Sequence, residues 1–283
     1  MPIKLAHIIK PTRVGQTSDL FVAQPITYHT MTEAKRYAAP RVDVALFTAQ
    51  FPEDRGLTPS EFTPTPDLER SILDFGRFER PKKLPVIKDI LDRLYEATDA
   101  EYLIYTNADI GVQPYFYLAV AEMIGQGYDA FTINRRVISE RFKSPEEVLS
   151  MWSEVGTPHR GHDCFVFDRA LYPKFRLGRV CVGTGWFGRT LVNNFLCHGK
   201  RVTLFPNKHL TFHIGDVHQW RGGKSRDMLE FNKRECEQMT GQLVREFGEF
   251  DCTYIGPHRL KRQRPRRLTE KLASALRSLR NKK

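Results

Sequence analysis

Glu101-Tyr102-Leu103-Ile104-Tyr105-Thr106-Asn107-Ala108-Asp109-Ile110-Gly111-Val112-Gln113-Pro114 decides how the chain is read. Tyr102 to Tyr105 is an apolar, strand-forming run. It stops at Thr106-Asn107-Ala108-Asp109, and Gly111 and Pro114 keep the strand from continuing. An apolar segment from Tyr115 to Ile124 then has the look of a helix. Asn107 and Asp109 therefore fall at or just past the carboxyl end of a buried strand, the edge where ligands bind in open α/β sheets. Residues two apart on an extended chain point the same way, so both can offer oxygen to one hard cation, or to a ribose and a cation. Both residue types also shape turns well, and spacing alone does not choose between the two readings.

The strand and its continuation Thr106-Asn107-Ala108-Asp109-Ile110 resemble the Asp-x-Asp element of GT-A-fold glycosyltransferases, which use nucleotide-sugar donors. The resemblance implies a metal on Asp109, Mn²⁺ or Mg²⁺, and a ribose or metal contact from the first position. Asn107 stands there in place of Asp, keeping an oxygen and losing a charge. By position in such a fold, Pro25, Thr27 and Gln50, with Asp54, would face the base and ribose of the donor. Each of them also fits ordinary loop chemistry.

Working outward, Ile3 to Ile9 and Asp19 to Gln24 are strand candidates. Thr30 or Thr32 could cap a helix, and Val42 to Gln50 is a buried strand. A strand, a helix and a parallel strand make the right-handed unit of nucleotide-binding sheets. Pro52, Pro59, Pro64, Pro66, Pro81 and Pro85 rule out long regular structure before Val86, with a helical turn or two over Leu68 to Phe75. Within that loop Arg80, Lys82 and Lys83 could reach a diphosphate or stay solvated. Val86, Ile87, Ile90, Leu91 and Leu94 mark one helical face. Tyr128 to Ile133 reads as a strand, and Arg141 to Trp152 as a polar helix capped by Ser144.

A strand over Gly161 to Phe167 would bring His162 and Asp163 to a site edge. In the stretch Gly183-Thr184-Gly185-Trp186-Phe187-Gly188-Arg189, the glycines permit close backbone approach. Trp186 and Phe187 offer flat faces suited to a sugar ring, or to the core. GT-A enzymes bind the acceptor here, and inverting members often carry an acid at the helix start. This chain has none, which leaves Asp163 as the acidic candidate. After a strand at Val202 to Phe205 comes His213-Ile214-Gly215. It is similar to the His-x-x-Gly-x-x-Lys-Pro-Trp element of glycogenin-like GT-A enzymes, with one residue fewer before the glycine and His218-Gln219 for Lys-Pro. The resemblance implies that His213 is a metal ligand, with His218, Arg221 or Lys224 toward phosphate.

Composition narrows the alternatives. The chain has 283 residues, 41% of them hydrophobic, and no run long enough to span a bilayer. Its first ten residues show no signal-peptide pattern. Five dispersed cysteines with no Cys-x-x-Cys pair read as reduced thiols of a cytoplasmic protein. Of the net charge of +11, residues 258–283 hold +10, so the remainder is nearly neutral and lacks the basic face of a nucleic-acid binder. Leu268, Leu272, Ala275, Leu276 and Leu279 keep helical spacing in that tail. It suits an anionic membrane surface or a solvated tail.

The expected architecture is a GT-A-like α/β domain over 1–220, a mixed Rossmann-type sheet flanked by helices. A helical extension over 221–257 and the basic tail 258–283 come after it. The expected activity is metal-assisted glycosyl transfer from a nucleotide-diphosphate sugar to a carbohydrate or glycan hydroxyl. The alternatives are a nucleotidyltransferase acting on a sugar phosphate and a non-catalytic carbohydrate-binding protein.

Overall fold

The computed structural model describes residues 2–159, 161–215 and 226–250. In chain order it contains β1 (Ile3–Ile9), α1 (Asp19–Ala38), β2 (Val42–Thr48), β3 (Thr63–Pro64), α2 (Ile87–Ala97) and β4 (Tyr102–Thr106). Next come β5 (Gly111–Val112), α3 (Phe116–Gly125), β6 (Ala130–Ile133), β7 (Arg136–Ile138), α4 (Val148–Ser153) and β8 (Thr157–Pro158). The remainder is β9 (Cys164–Asp168), α5 (Phe187–His198), β10 (Val202–Phe205), β11 (Thr211–Ile214) and α6 (Arg226–Phe247).

Seven strands form the main sheet in the order β10-β6-β9-β4-β1-β2-β3. Only β9 runs against its neighbours. The sheet is mixed and covered on both faces, so its central strands are continuous apolar runs. On one face Leu103, Tyr105, Phe165 and Phe167 meet Ile90, Leu94 and Phe195 of α2 and α5. On the other, Leu5, Ile104 and Val166 meet Met31, Ala34, Phe116 and Val120 of α1 and α3. The chain leaves β1 toward β2 and later enters β4 on β1's other side. That reversal makes a crevice beyond the carboxyl ends of β1 and β4.

A second, four-stranded sheet in the order β5-β11-β7-β8 sits at that crevice. β11 lies antiparallel to β5, with Phe212 opposite Gly111, and parallel to β7, with His213 opposite Val137. Gly111 is required there: a Cβ on it would come 2.6 Å from Phe212 Cε2.

Three local expectations are corrected; of these, Thr30 and Thr32 lie inside α1 and cap no helix start. Asp19 to Gln24 is helix, not strand. Ala23, Ile26, Thr27, Thr30, Met31, Ala34 and Ala38 recur at helical spacing and are buried, and that face outweighs Pro25. Pro25 lies on the exposed side of α1, where its missing N–H costs least. The polar helix expected over Arg141 to Trp152 is a 3₁₀ turn, Pro145–Glu147, joined to the short α4. α6 buries Met228, Phe231, Met239 and Leu243. Cys164, Cys181 and Cys236 are free thiols. Among the described residues no helix is long and apolar enough to cross a membrane. His218, Arg221, Lys224, Cys252 and the basic tail lie outside the described residues.

His7 is fully buried in β1, with its ring nitrogens 3.0 Å from Tyr117 Oη and 2.9 Å from Thr106 Oγ1. Burial pushes its pKa down to about 3 from 6.5. The folded protein thus keeps His7 neutral while the unfolded chain takes up a proton below pH 6.5. This contribution to stability is full above 6.5 and is lost progressively as pH falls toward 3. Between pH 8 and pH 5 the loss is about 2 kcal/mol. Urea unfolding at both pH values measures it, and His7→Gln should remove that part of the slope.

Candidate functional site

A cavity of about 1250 Å³ opens at the carboxyl ends of the strands. Its wall takes Lys10 and Thr12 to Val14 after β1, Phe51, Glu53 and Asp54 after β2, Tyr105 near the end of β4 with Asn107 to Asp109 after it, and Arg135 after β6. It also takes His159 and Gly161 to Asp163 before β9, the segment 182–189 and His213. Each parallel strand delivers its next residues to the same edge, so residues distant in sequence meet.

Asp109 and His213 form its central pair, with Oδ2 and Nε2 3.3 Å apart. His213 Nδ1 lies 2.8 Å from the carbonyl of Gly215. A carbonyl can only accept, so Nδ1 carries a proton and Nε2 is the nitrogen turned to the carboxylate. A lone pair and a carboxylate at that distance need a positive species between them, a proton or a metal ion. Burial lowers the His213 pKa, but Asp109 and the Gly215 carbonyl outweigh it and hold the imidazole above its ordinary 6.5. His213 is 3% exposed and the Asp109 side chain 27%. One nitrogen and one oxygen ligand at an open cavity suit Mn²⁺ or Mg²⁺ as a partial shell that substrate oxygens would complete. Among the described residues no cluster of three or more His, Cys, Asp or Glu side chains forms a closed cage. Asn107 also lines the cavity, and its Oδ1 accepts a hydrogen bond from Tyr105 Oη at 2.9 Å.

Asp163 lies at the cavity but in an ion pair. Its Oδ1 accepts from Arg135 Nη1, and the two side chains are 8% and 7% exposed. Its Oδ2 is 3.5 Å from His159 Nδ1. Burial pushes the Asp163 carboxyl up, yet His159 and Arg135 outweigh it and hold it below the usual carboxylate range. A carboxylate so held is a weak proton acceptor, and its setting suits orienting Arg135 better than the catalytic role expected of it. Arg135 also acts electrostatically on His213.

A further wall gathers basic and aromatic groups. Asp54 accepts from Lys10 Nζ at 2.7 Å and from the Arg13 N–H at 2.8 Å. Lys83 pairs with Glu53 at 2.6 Å. Lys10 and Lys83 stand 4.9 and 4.1 Å from the centroid of Phe51.

Of the residues singled out in the sequence, Asp54, Lys83, Asn107, Asp109, His162, Asp163, Trp186, Phe187 and His213 line this cavity. Pro25, Thr27 and Gln50 do not. Pro25 and Thr27 belong to α1 rather than to a loop. Gln50 spends its amide inside the protein: Oε1 accepts from Thr48 Oγ1, and Nε2 donates to the Thr65 carbonyl and Asp67. Sequence reasoning missed Lys10, Phe51, Arg135 and Arg189. Lys10 and Arg135 come soon after strands, and the logic applied to Asp109 reaches them.

Fold and cavity define an α/β protein of the GT-A-like, Rossmann-type class. No family model matches the chain, and no curated protein does. Among solved structures it is similar to S. aureus TarS in complex with UDP-GlcNAc (10% identity, 87% of this chain and 71% of that one, TM-score 0.46). It is also similar to glucosyl-3-phosphoglycerate synthase from Mycobacterium tuberculosis with Mn²⁺, UDP-glucose and phosphoglyceric acid (11%, 83% and 80%, TM-score 0.43). A third is 4-diphosphocytidyl-2C-methyl-D-erythritol synthase from Anaerococcus prevotii (12%, 82% and 98%, TM-score 0.39). At these identities the likeness is one of fold alone.

Proposed function

We propose that this protein transfers a glycosyl group from a nucleotide-diphosphate sugar to an acceptor hydroxyl. The observation that carries the reading is the pairing of Asp109 and His213 at the crevice beyond the carboxyl ends of β1 and β4. A divalent cation held by Asp109 and His213 would neutralise charge on the departing diphosphate. The anomeric carbon–oxygen bond to the diphosphate breaks, one to the acceptor oxygen forms and the acceptor's hydroxyl proton passes to the departing diphosphate, so stabilising the leaving group lowers the barrier. Arg135, fixed by Asp163, adds a second positive charge beside this pair. Lys10, Lys83 and Phe51 suit the nucleotide half of the donor, and Asn107 its ribose. Trp186 and Phe187 supply the apolar wall for a sugar. The catalytic unit is residues 1–220 with 221–257 as a helical extension. The tail 258–283 gives a cytoplasmic enzyme its contact with an anionic membrane face.

Incubating the full chain with a panel of nucleotide-diphosphate sugars, acceptors and Mn²⁺ or Mg²⁺ tests this. Release of nucleoside diphosphate, stopped by chelation and restored by metal, is expected. Pyrophosphate released from a nucleoside triphosphate and a sugar phosphate would instead mark a nucleotidyltransferase. No turnover with retained sugar binding would mark a carbohydrate-binding protein.

A further inference from the structure

Residues 182–189 form a stretch of the cavity wall distinct from the Asp109–His213 pair. Asn232 of α6 fixes its backbone. Asn232 Oδ1 accepts from the Cys181 N–H at 2.8 Å, and Nδ2 donates to the carbonyls of Cys181 and Gly185 at 2.6 and 2.9 Å. Trp186 then adopts φ 81°, a left-handed conformation that strains a tryptophan. From that turn the twelve-residue α5 starts with no side chain capping it. The N–H groups of Phe187, Gly188 and Arg189 meet no acceptor among the described residues.

Three side chains line the cavity at this helix start. Arg189 lies with its guanidinium 5.1 Å from the Trp186 ring centroid and forms no ion pair among the described residues. Thr184 is 2% exposed and lines the cavity, yet its Oγ1 has no partner among the described residues. A buried hydroxyl without a partner is costly, so its burial calls for an explanation. His162 packs on Gly188, where a Cβ would come 3.2 Å from His162 Cβ, and its Nδ1 is also unpartnered. Asp163, next in sequence, is bound to Arg135, and its charge also reaches His162, whereas Arg189 has no carboxylate partner among the described residues. A helix amino end, an unpaired guanidinium and idle hydrogen-bonding groups together recognise an oxyanion.

We propose that the acceptor carries an anionic group, a phosphate or a carboxylate, which docks at the amino end of α5 on Arg189, Thr184 and His162. This rests on the glycosyl-transfer reading of the same cavity. The anion anchors the acceptor and leaves its hydroxyl to face the donor sugar.

Calorimetric titration of the full chain with glycerol phosphate, glycerate and glycerol tests it. Each titration is run with nucleoside diphosphate and Mg²⁺ saturating, and again with neither. One of the two anions should bind at least about tenfold more tightly than glycerol in both settings. Preference for glycerol phosphate identifies a phosphate group, and preference for glycerate a carboxylate. Arg189→Gln and Thr184→Val should each weaken that anion by about fivefold or more. Nucleoside diphosphate binding in the same variants reports whether they are folded. Anions binding no better than glycerol, or equally well to both variants, would overturn the proposal. Nucleoside diphosphate failing to bind wild type would overturn the donor reading instead, while the titrations without nucleotide still read the α5 site.

Discussion

Asp109→Ala abolishes the metal-dependent part of nucleoside diphosphate binding, a loss of about 100-fold or more, or ~2.7 kcal/mol. Asp109 would be the charged member of the proposed two-residue ligand set, and no third His, Cys, Asp or Glu among the described residues takes its place. Its side chain is 27% exposed at the cavity, so truncation leaves no sealed void and the fold should persist. His213→Asn, which keeps a polar side chain but removes the imidazole, should cost about tenfold. Calorimetry with Mg²⁺ and with chelator separates the metal-dependent increment from binding to the rest of the cavity. An increment of unchanged size in Asp109→Ala would remove the pair from the donor site.

Asp163→Ala should be strongly destabilising. It leaves the Arg135 guanidinium, whose side chain is only 7% exposed, without its anion. Removing one partner of a buried ion pair costs about 3–5 kcal/mol. Replacing both, as Arg135→Met with Asp163→Leu, should recover much of that stability while donor binding stays weak. Urea unfolding gives the energies through the midpoint at constant slope. A proton-accepting Asp163 predicts the opposite pattern: Asp163→Ala keeps its midpoint and loses turnover.

The sequence is most readable where a strand ends abruptly. The stop after Tyr105 is chemical, because apolar side chains give way to Thr106, Asn107 and Asp109. The structure places those residues at a strand edge, as that reading expects. Ile3 to Ile9 and Val202 to Phe205 are equally plain and have those bounds. Asp19 to Gln24 misleads because Phe21 and Val22 favour strands locally, whereas the buried face that makes α1 a helix extends on to Ala38. The place of Gln50 at a strand end is legible, but its partners are not. Thr65 and Asp67 come from the proline-rich loop, whose path no periodicity reveals. Asp163 stands out as an acid near the site, but its tie to Arg135 depends on β6 and β9 being neighbours, which is tertiary information. Motif order alone suggests the Asp109–His213 pairing, and its geometry comes from β5 and β11.

The small four-stranded sheet also sets when the site can exist. β11 is the last strand among the described residues, and it docks between β5, two residues after Asp109, and β7, one residue after Arg135. During synthesis Asp109 and Arg135 leave the ribosome long before their imidazole partner. Closing so large a loop is slow relative to local contacts. The crevice between β1 and β4 can take shape from earlier strands, but His213 arrives only when β11 threads between its two neighbours. A nascent or partly unfolded chain would therefore present the crevice with only half of the proposed metal pair, and competence for metal would come late in folding.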